Sequence, residues 1–341
     1  MIIELVSLVL TLVFIVASAE LFTNGIEWLG QRLQLSEGVV GSVLAAVGTA
    51  LPETLIPVVA LVFFSRQHGV EVGIGAIAGA PFMLSTLTLG LCGIACLVFT
   101  ATKRRQPGIE IKKAVISRDL KFFICAYTLA LLASFLPAHP IIRVVVATAL
   151  VSIYPYYLYV CFKHEGEVGE CPETLYFDRL FKKGSERLHL IITQIVLALL
   201  GIVGGAYMFV GCIQNLSDDF NISPLVLSLI VTPIATELPE KINSVLWLRG
   251  NKDTLAIGNV TGALVFQSCF PVAFGVAFTN WNLDHGTQLS GAVAVVSAAI
   301  YLTLLNYSRL KPQHLMCGAF IYACTIATII YWAPVMPLRH H

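Results

Sequence analysis

Long apolar runs separated by short polar stretches recur along the whole chain. Runs long enough to cross a bilayer, about 20 residues each, fall near 3–25, 38–64, 70–101, 119–136, 140–162, 188–214, 222–248, 254–278, 287–306 and 314–333. This pattern predicts an all-α polytopic membrane protein of ten transmembrane helices, five on each side of the polar stretch 163–187. The fourth run is the shortest, held between the Arg118-Asp119 pair and Pro137. The first carries Glu20 and belongs to an internal repeat, so it reads as a retained span rather than a cleaved leader.

Two of the apolar runs are interrupted in the same way. Gly48-Thr-Ala-Leu-Pro-Glu-Thr54 and Ala235-Thr-Glu-Leu-Pro-Glu-Lys241 each place a proline beside a glutamate. With Glu53 set on Glu240, an offset of 187, residues 17–53 lie on 204–240 without a gap. Leu35-Ser36 then meets Ile222-Ser223, and Phe22 meets Phe209. Further on, at an offset of 183, Gly75-Ala-Ile-Ala-Gly-Ala80 meets Gly258-Asn-Val-Thr-Gly-Ala263. Internal symmetry with proline-broken apolar helices points to the central site of a transporter. The chain therefore divides into a first half, 1–162, a linker, 163–187, and a second half, 188–341.

Charge sets the orientation. With alternate loops on opposite sides, one side collects 17 of the 21 lysines and arginines. That side is assigned to the cytoplasm, with both termini opposite it. An odd number of spans per half makes the two halves inverted. Charged residues are only 12% of the chain against about 25% in soluble domains. The net charge of +1 gives no field for nucleic acid. Eight of the nine cysteines lie in apolar runs without metal-ligand spacing and read as packing residues.

A carboxylate at bilayer depth costs roughly 2.5–3.5 kcal/mol on insertion scales. Two in matching frames suggest one shared site. Pro52 and Pro239 lack an N–H, so the carbonyls of Gly48 and Ala235 lose their helical donors. Thr49 shares a helix face with Glu53. In the second repeat Thr232, Thr236, Glu240, Asn243 and Ser244 form a polar stripe with Glu237 at its edge. Calcium takes six to eight oxygens from carboxylates, carbonyls, amides and water. Glu53, Glu240, Thr49, Thr236, Glu237, Asn243 and the carbonyls of Gly48 and Ala235 can furnish most of such a set. Single threonines on membrane helices more often bond their own helix, and paired glycines serve close packing as readily as function.

These residues resemble the calcium/cation antiporter superfamily, nearest its sodium/calcium exchanger branch. Gly48 to Glu53 with Gly75-x-x-x-Gly79 looks like the first alpha-repeat, in residues 17–101, and Ala235 to Glu240 with Gly258-Asn-Val-x-Gly262 like the second, in 204–278. The resemblance implies two inverted five-helix repeats and a site at mid-membrane, where calcium alternates with sodium or protons. It places Glu53, Glu240, Thr49 and Thr236 on that site. The family motif usually has a serine after each threonine, where this chain has Ala50 and Glu237. Polar family positions on the following helices are Ala80-Pro81 and Ala263-Leu264. Lys241, directly after the second glutamate, either replaces a bound monovalent cation or pairs structurally with Glu237 four residues earlier.

The expected function is a secondary cation antiporter that exports calcium in exchange for sodium or protons by alternating access in the plasma membrane. Its partners are small cations and the lipid bilayer, and no cofactor is expected. The alternatives are a family member with altered or lost transport, and a cation channel. No filter loop supports the channel. The eight histidines form no His-Glu-x-x-His motif, so catalysis is not expected.

Overall fold

The computed structural model describes residues 2–32, 51–64, 66–137, 139–164, 176 and 188–332. The longer helices in chain order are α1 (Ile2–Arg32), α2 (Leu51–Phe63), α3 (Arg66–Met83), α4 (Leu89–Ala101), α5 (Lys113–Ala133), α6 (Pro140–His164), α7 (Leu188–Phe220), α8 (Pro224–Thr236), α9 (Leu238–Arg249), α10 (Asp253–Phe278), α11 (His285–Asn306) and α12 (Pro312–Trp332). A π-helical turn, Leu84–Thr88, joins α3 to α4. Helices suit this composition because each satisfies its backbone groups within itself, as a bilayer requires. Among the described residues, seven helical segments are long and apolar enough to cross a membrane: those in α1, α3 with α4, α6, α7, α10, α11 and α12.

The other expected spans differ from continuous apolar helices for physical reasons. Residues 33–50 lie outside the described residues, so only the later part of the second expected span, α2, is seen. The seventh expected span is divided into α8 and α9 at Glu237. The fourth, α5, carries Lys113, Arg118, Asp119 and Lys121 in its first half.

The helices pack in two apolar clusters. One joins α1, α2 and α7 through residues such as Ile15, Phe22, Ile56 and Phe209. The other runs through α3 to α6 and α8 to α12, with Phe82, Phe123, Leu229 and Val265 among its buried members. Large side chains such as Ile3, Leu10, Val13 and Phe14 of α1 stay exposed, as expected of a lipid-facing surface. Among the described residues, three of the basic segments, near 102–113, 249–254 and 306–311, meet on one face. The backbone N–H of Gln106 donates to Asn251 Oδ1, that of Lys112 to Thr254 Oγ1, and Lys113 Nζ to the Asn306 carbonyl.

Helix α3 crosses α8 at very short range. Ser228 Oγ donates to the Val72 carbonyl at 2.8 Å. A Cβ on Gly75 or Gly79 would overlap the carbonyl oxygens of Leu225 or Leu229, respectively. Pro233 lacks the N–H that would bond the Leu229 carbonyl, which instead faces Gly79. The second glycine pair is different: a Cβ on Gly258 or Gly262 would have its nearest neighbour at 3.9 or 3.7 Å. Only the first pair therefore requires glycine for packing. Gly79→Ala should destabilise the protein by about 1–3 kcal/mol, while Gly262→Ala should stay within about 0.5 kcal/mol. Thermal unfolding in detergent compares the two; equal melting temperatures would remove the close crossing.

Candidate functional site

Proline builds the site by breaking a helix. Pro239 has no N–H to continue the helical ladder, and α8 stops at Thr236. The chain turns through Glu237 (φ −90°, ψ 10°), and α9 starts at Leu238 with the proline in its first turn, where it is tolerated. Glu240 falls in that same first turn. There the positive end of the helix dipole favours a carboxylate. In the first half, Glu53 sits in the described start of α2, directly after Pro52.

Four charged side chains converge where the bilayer interior is expected. Glu53 is 6% exposed, Glu237 0%, Glu240 8% and Lys241 8%. Glu53 lies within electrostatic range of Glu240, Glu237 and Lys241, although it is far from them in sequence. Gln267 of α10 and Tyr322 of α12, both buried, face Glu237. Both carboxylate oxygens of Glu53, Oε1 of Glu237, Oε2 of Glu240 and Oε1 of Gln267 are buried without a hydrogen-bond partner among the described residues. Native interiors rarely tolerate such a concentration of unpartnered acceptors. They make a set of hard oxygen donors, suited to a cation.

Of the residues expected at the site, Glu53, Glu240, Glu237 and Thr236 are buried in this region. The Thr236 hydroxyl donates to the Thr232 carbonyl at 3.1 Å, within its own helix. Ala235 lies in the last turn of α8. Gly48 and Thr49 fall outside the described residues. Asn243 is exposed. The buried face of α9 runs through Glu240, Lys241, Ser244 and Leu248, and Asn243, beside the exposed Ile242, falls outside it. An amide does reach this helix from elsewhere. Asn259 Nδ2 on α10 donates to the Glu240 carbonyl at 3.3 Å and to Ser244 Oγ at 3.2 Å. Asn259 belongs to the repeated glycine motif, and Gln267, about two turns further along α10, is the polar position that the sequence reading does not assign to the site.

Among the described residues, no three histidine, cysteine, aspartate or glutamate side chains are grouped tightly enough to hold a metal by themselves. Any cation held here would therefore also draw on carbonyls, hydroxyls and amides. A second buried acid provides the contrast. Asp119 of α5 accepts from Thr261 Oγ1 at 2.8 Å, Tyr157 Oη at 3.1 Å and Arg118 Nε at 3.1 Å. Both of its oxygens are engaged, so it ties α5, α6 and α10 together.

Residues 3–163 and 190–331 match the sequence profile of the sodium/calcium exchanger protein family. The chain belongs to the sodium/calcium exchanger family. Members are membrane transporters, not enzymes. An uncharacterised membrane protein of Methanocaldococcus jannaschii is 21% identical over 321 residues, covering 94% of this chain and 96% of the relative. Among solved structures, the H+/Ca2+ exchanger CAX superposes with a TM-score of 0.74 at 16% identity, covering 96% of this chain and 84% of that one. The sodium-calcium exchanger NCX_Mj gives a TM-score of 0.60 at 20% identity, covering 96% and 98%. At these identities the structural likeness establishes the exchanger fold.

Proposed function

We propose that this exchanger-family member moves calcium across the membrane against sodium or protons, with Glu53 and Glu240 sharing the transported ion. The observation that carries this assignment is the meeting of unpartnered carboxylate oxygens from both halves of the chain in one buried cluster. Two carboxylates match the charge of one divalent ion and offset part of its lost hydration. Thr236, Glu237 and the Ala235 carbonyl stand close enough in sequence to complete the coordination. Thr49 and the Gly48 carbonyl take the corresponding places in the first repeat.

The same reading arranges the chain as ten spans in two inverted five-helix halves joined by 163–187, in the plasma membrane, with both termini outside the cytoplasm. The matched lengths of the leading helices α1 (31 residues) and α7 (33 residues) support it. So does the proline-glutamate element that follows each of them. Alternating access then exposes the glutamates to one side at a time. Burial disfavours their charged form and a cation favours it, so protons are as suitable a counter-ion as sodium.

Tracer calcium uptake into proteoliposomes, with outward sodium and proton gradients imposed separately, tests this. Uptake that saturates and depends on one of the two gradients is expected. Equal uptake with no gradient would indicate a channel, and no uptake with either would indicate a member that has lost transport. Calcium at 100 times its dissociation constant should also stabilise the purified protein by about 2.7 kcal/mol. An unmoved melting temperature at saturating calcium would argue against a calcium site.

A further inference from the structure

Lys241 is held inside the cluster rather than extended to its edge. Its ammonium donates to the Pro233 carbonyl at 3.0 Å, to Met83 Sδ at 3.2 Å and to Glu237 Oε2 at 3.3 Å. Those three acceptors use all three ammonium N–H bonds. The elements supplying them differ: Pro233 is in α8, Met83 ends α3 just before the π-helical turn, and Glu237 is the break itself. The ammonium is fixed by backbone, thioether and carboxylate from separate helices. The first repeat has no such charge, since Thr54 occupies the position matching Lys241.

Among the described residues, the charged groups acting on Glu53 are Glu240, Glu237 and Lys241. Three carboxylates against one ammonium leave two negative charges. A net charge left uncompensated at bilayer depth is expensive, and one divalent ion or two monovalent ions balance this one. We propose that Lys241 is a built-in cation that fills the place of a third monovalent ion, so that one divalent ion exchanges for two monovalent ions without net charge movement. Glu237, whose Oε1 remains unpartnered, keeps one oxygen for the cargo while its Oε2 balances the lysine. The proposal rests on the antiporter reading above, and its experiment separates the two.

Calcium accumulation is measured in proteoliposomes under a fixed counter-ion gradient while valinomycin and potassium set the membrane potential. Gradient-driven accumulation in the wild type tests the antiporter reading, and its dependence on potential tests the role of Lys241. The wild-type accumulation ratio should not change with potential. In Lys241→Met a third monovalent ion takes the ammonium's place while the divalent ion still binds alone, and the accumulation ratio should shift about tenfold for each ~59 mV, as for one net charge. Lys241→Arg keeps the charge, so its accumulation ratio should stay independent of potential whatever its rate. Glu237→Gln combined with Lys241→Met removes one charge of each sign and should again be insensitive to potential. A merely structural lysine would change the rate and leave potential dependence alone. A wild-type ratio that already moves with potential overturns the proposal, as does a Lys241→Met ratio that does not. Should Lys241→Met carry no flux, recovery of flux in the double variant supports the proposal, and its absence overturns it.

Discussion

Glu53→Gln and Glu240→Gln should each lower gradient-dependent calcium flux by about 30-fold or more while leaving the fold intact. Removing one partner of a buried charge-assisted contact costs about 2–5 kcal/mol, and every 1.4 kcal/mol is about tenfold. Glutamine keeps the shape of glutamate and removes the charge. Neither Glu53 oxygen has a hydrogen-bond partner among the described residues, so Glu53→Gln breaks no described contact. Its melting temperature without calcium should stay at or slightly above the wild-type value, because an uncompensated buried charge has been removed. Paired measurements of flux and melting temperature separate loss of a ligand from loss of the protein. Calcium flux in either variant within a few-fold of wild type would place the ion elsewhere.

The second large effect lies on the basic face. Arg105 Nη2 and Asp253 Oδ2 are 2.8 Å apart, and both side chains are buried. Arg105 also donates to the carbonyls of Gly108, Leu248 and Gln106, and to Cys96 Sγ. Asp253 accepts the Glu110 backbone N–H and sits in the first turn of α10, where the helix dipole favours it. The pair thereby fastens the loop after α4 to the junction of α9 and α10. Removal of one partner from a buried ion pair destabilises by about 3–5 kcal/mol, because the other charge is left without compensation. Arg105→Met and Asp253→Asn should each lose stability in that range on thermal or denaturant unfolding. Arg105→Met combined with Asp253→Leu should lose less than the two single changes together. Single variants within about 0.5 kcal/mol of wild type would show that the pair holds nothing.

The site was legible in sequence where a local rule determined the outcome. A proline beside a glutamate inside an apolar run announces both a helix break and a costly charge, and Glu240 and Glu237 stand at such a break. Lysine and arginine counts group five loops, and hydrogen bonds between residues 106, 112 and 113 and residues 251, 254 and 306 bring three of them together, the other two lying largely outside the described residues. Asn243 shows where the local rule fails. The three-residue step from Glu240 puts Asn243 at the edge of the stripe, and packing against α10 buries the four-residue step to Ser244 instead.

Other features depend on contacts that no spacing reveals. The acceptors of Lys241 include Met83, 158 residues away, and Arg105 meets Asp253 across 148 residues. The two glycine pairs look alike in sequence, yet only Gly75 and Gly79 have a partner backbone against them. Asp119 reads as the polar start of a weak span, and its partners Tyr157 and Thr261 come from two other helices.

The central claim is that carboxylates from the two halves hold one transported ion. A crystal structure of the protein saturated with calcium measures this directly. The account predicts a single calcium with oxygens of both Glu53 and Glu240 at about 2.3–2.6 Å. An ion bound by only one of these glutamates, or seated away from both, would contradict it.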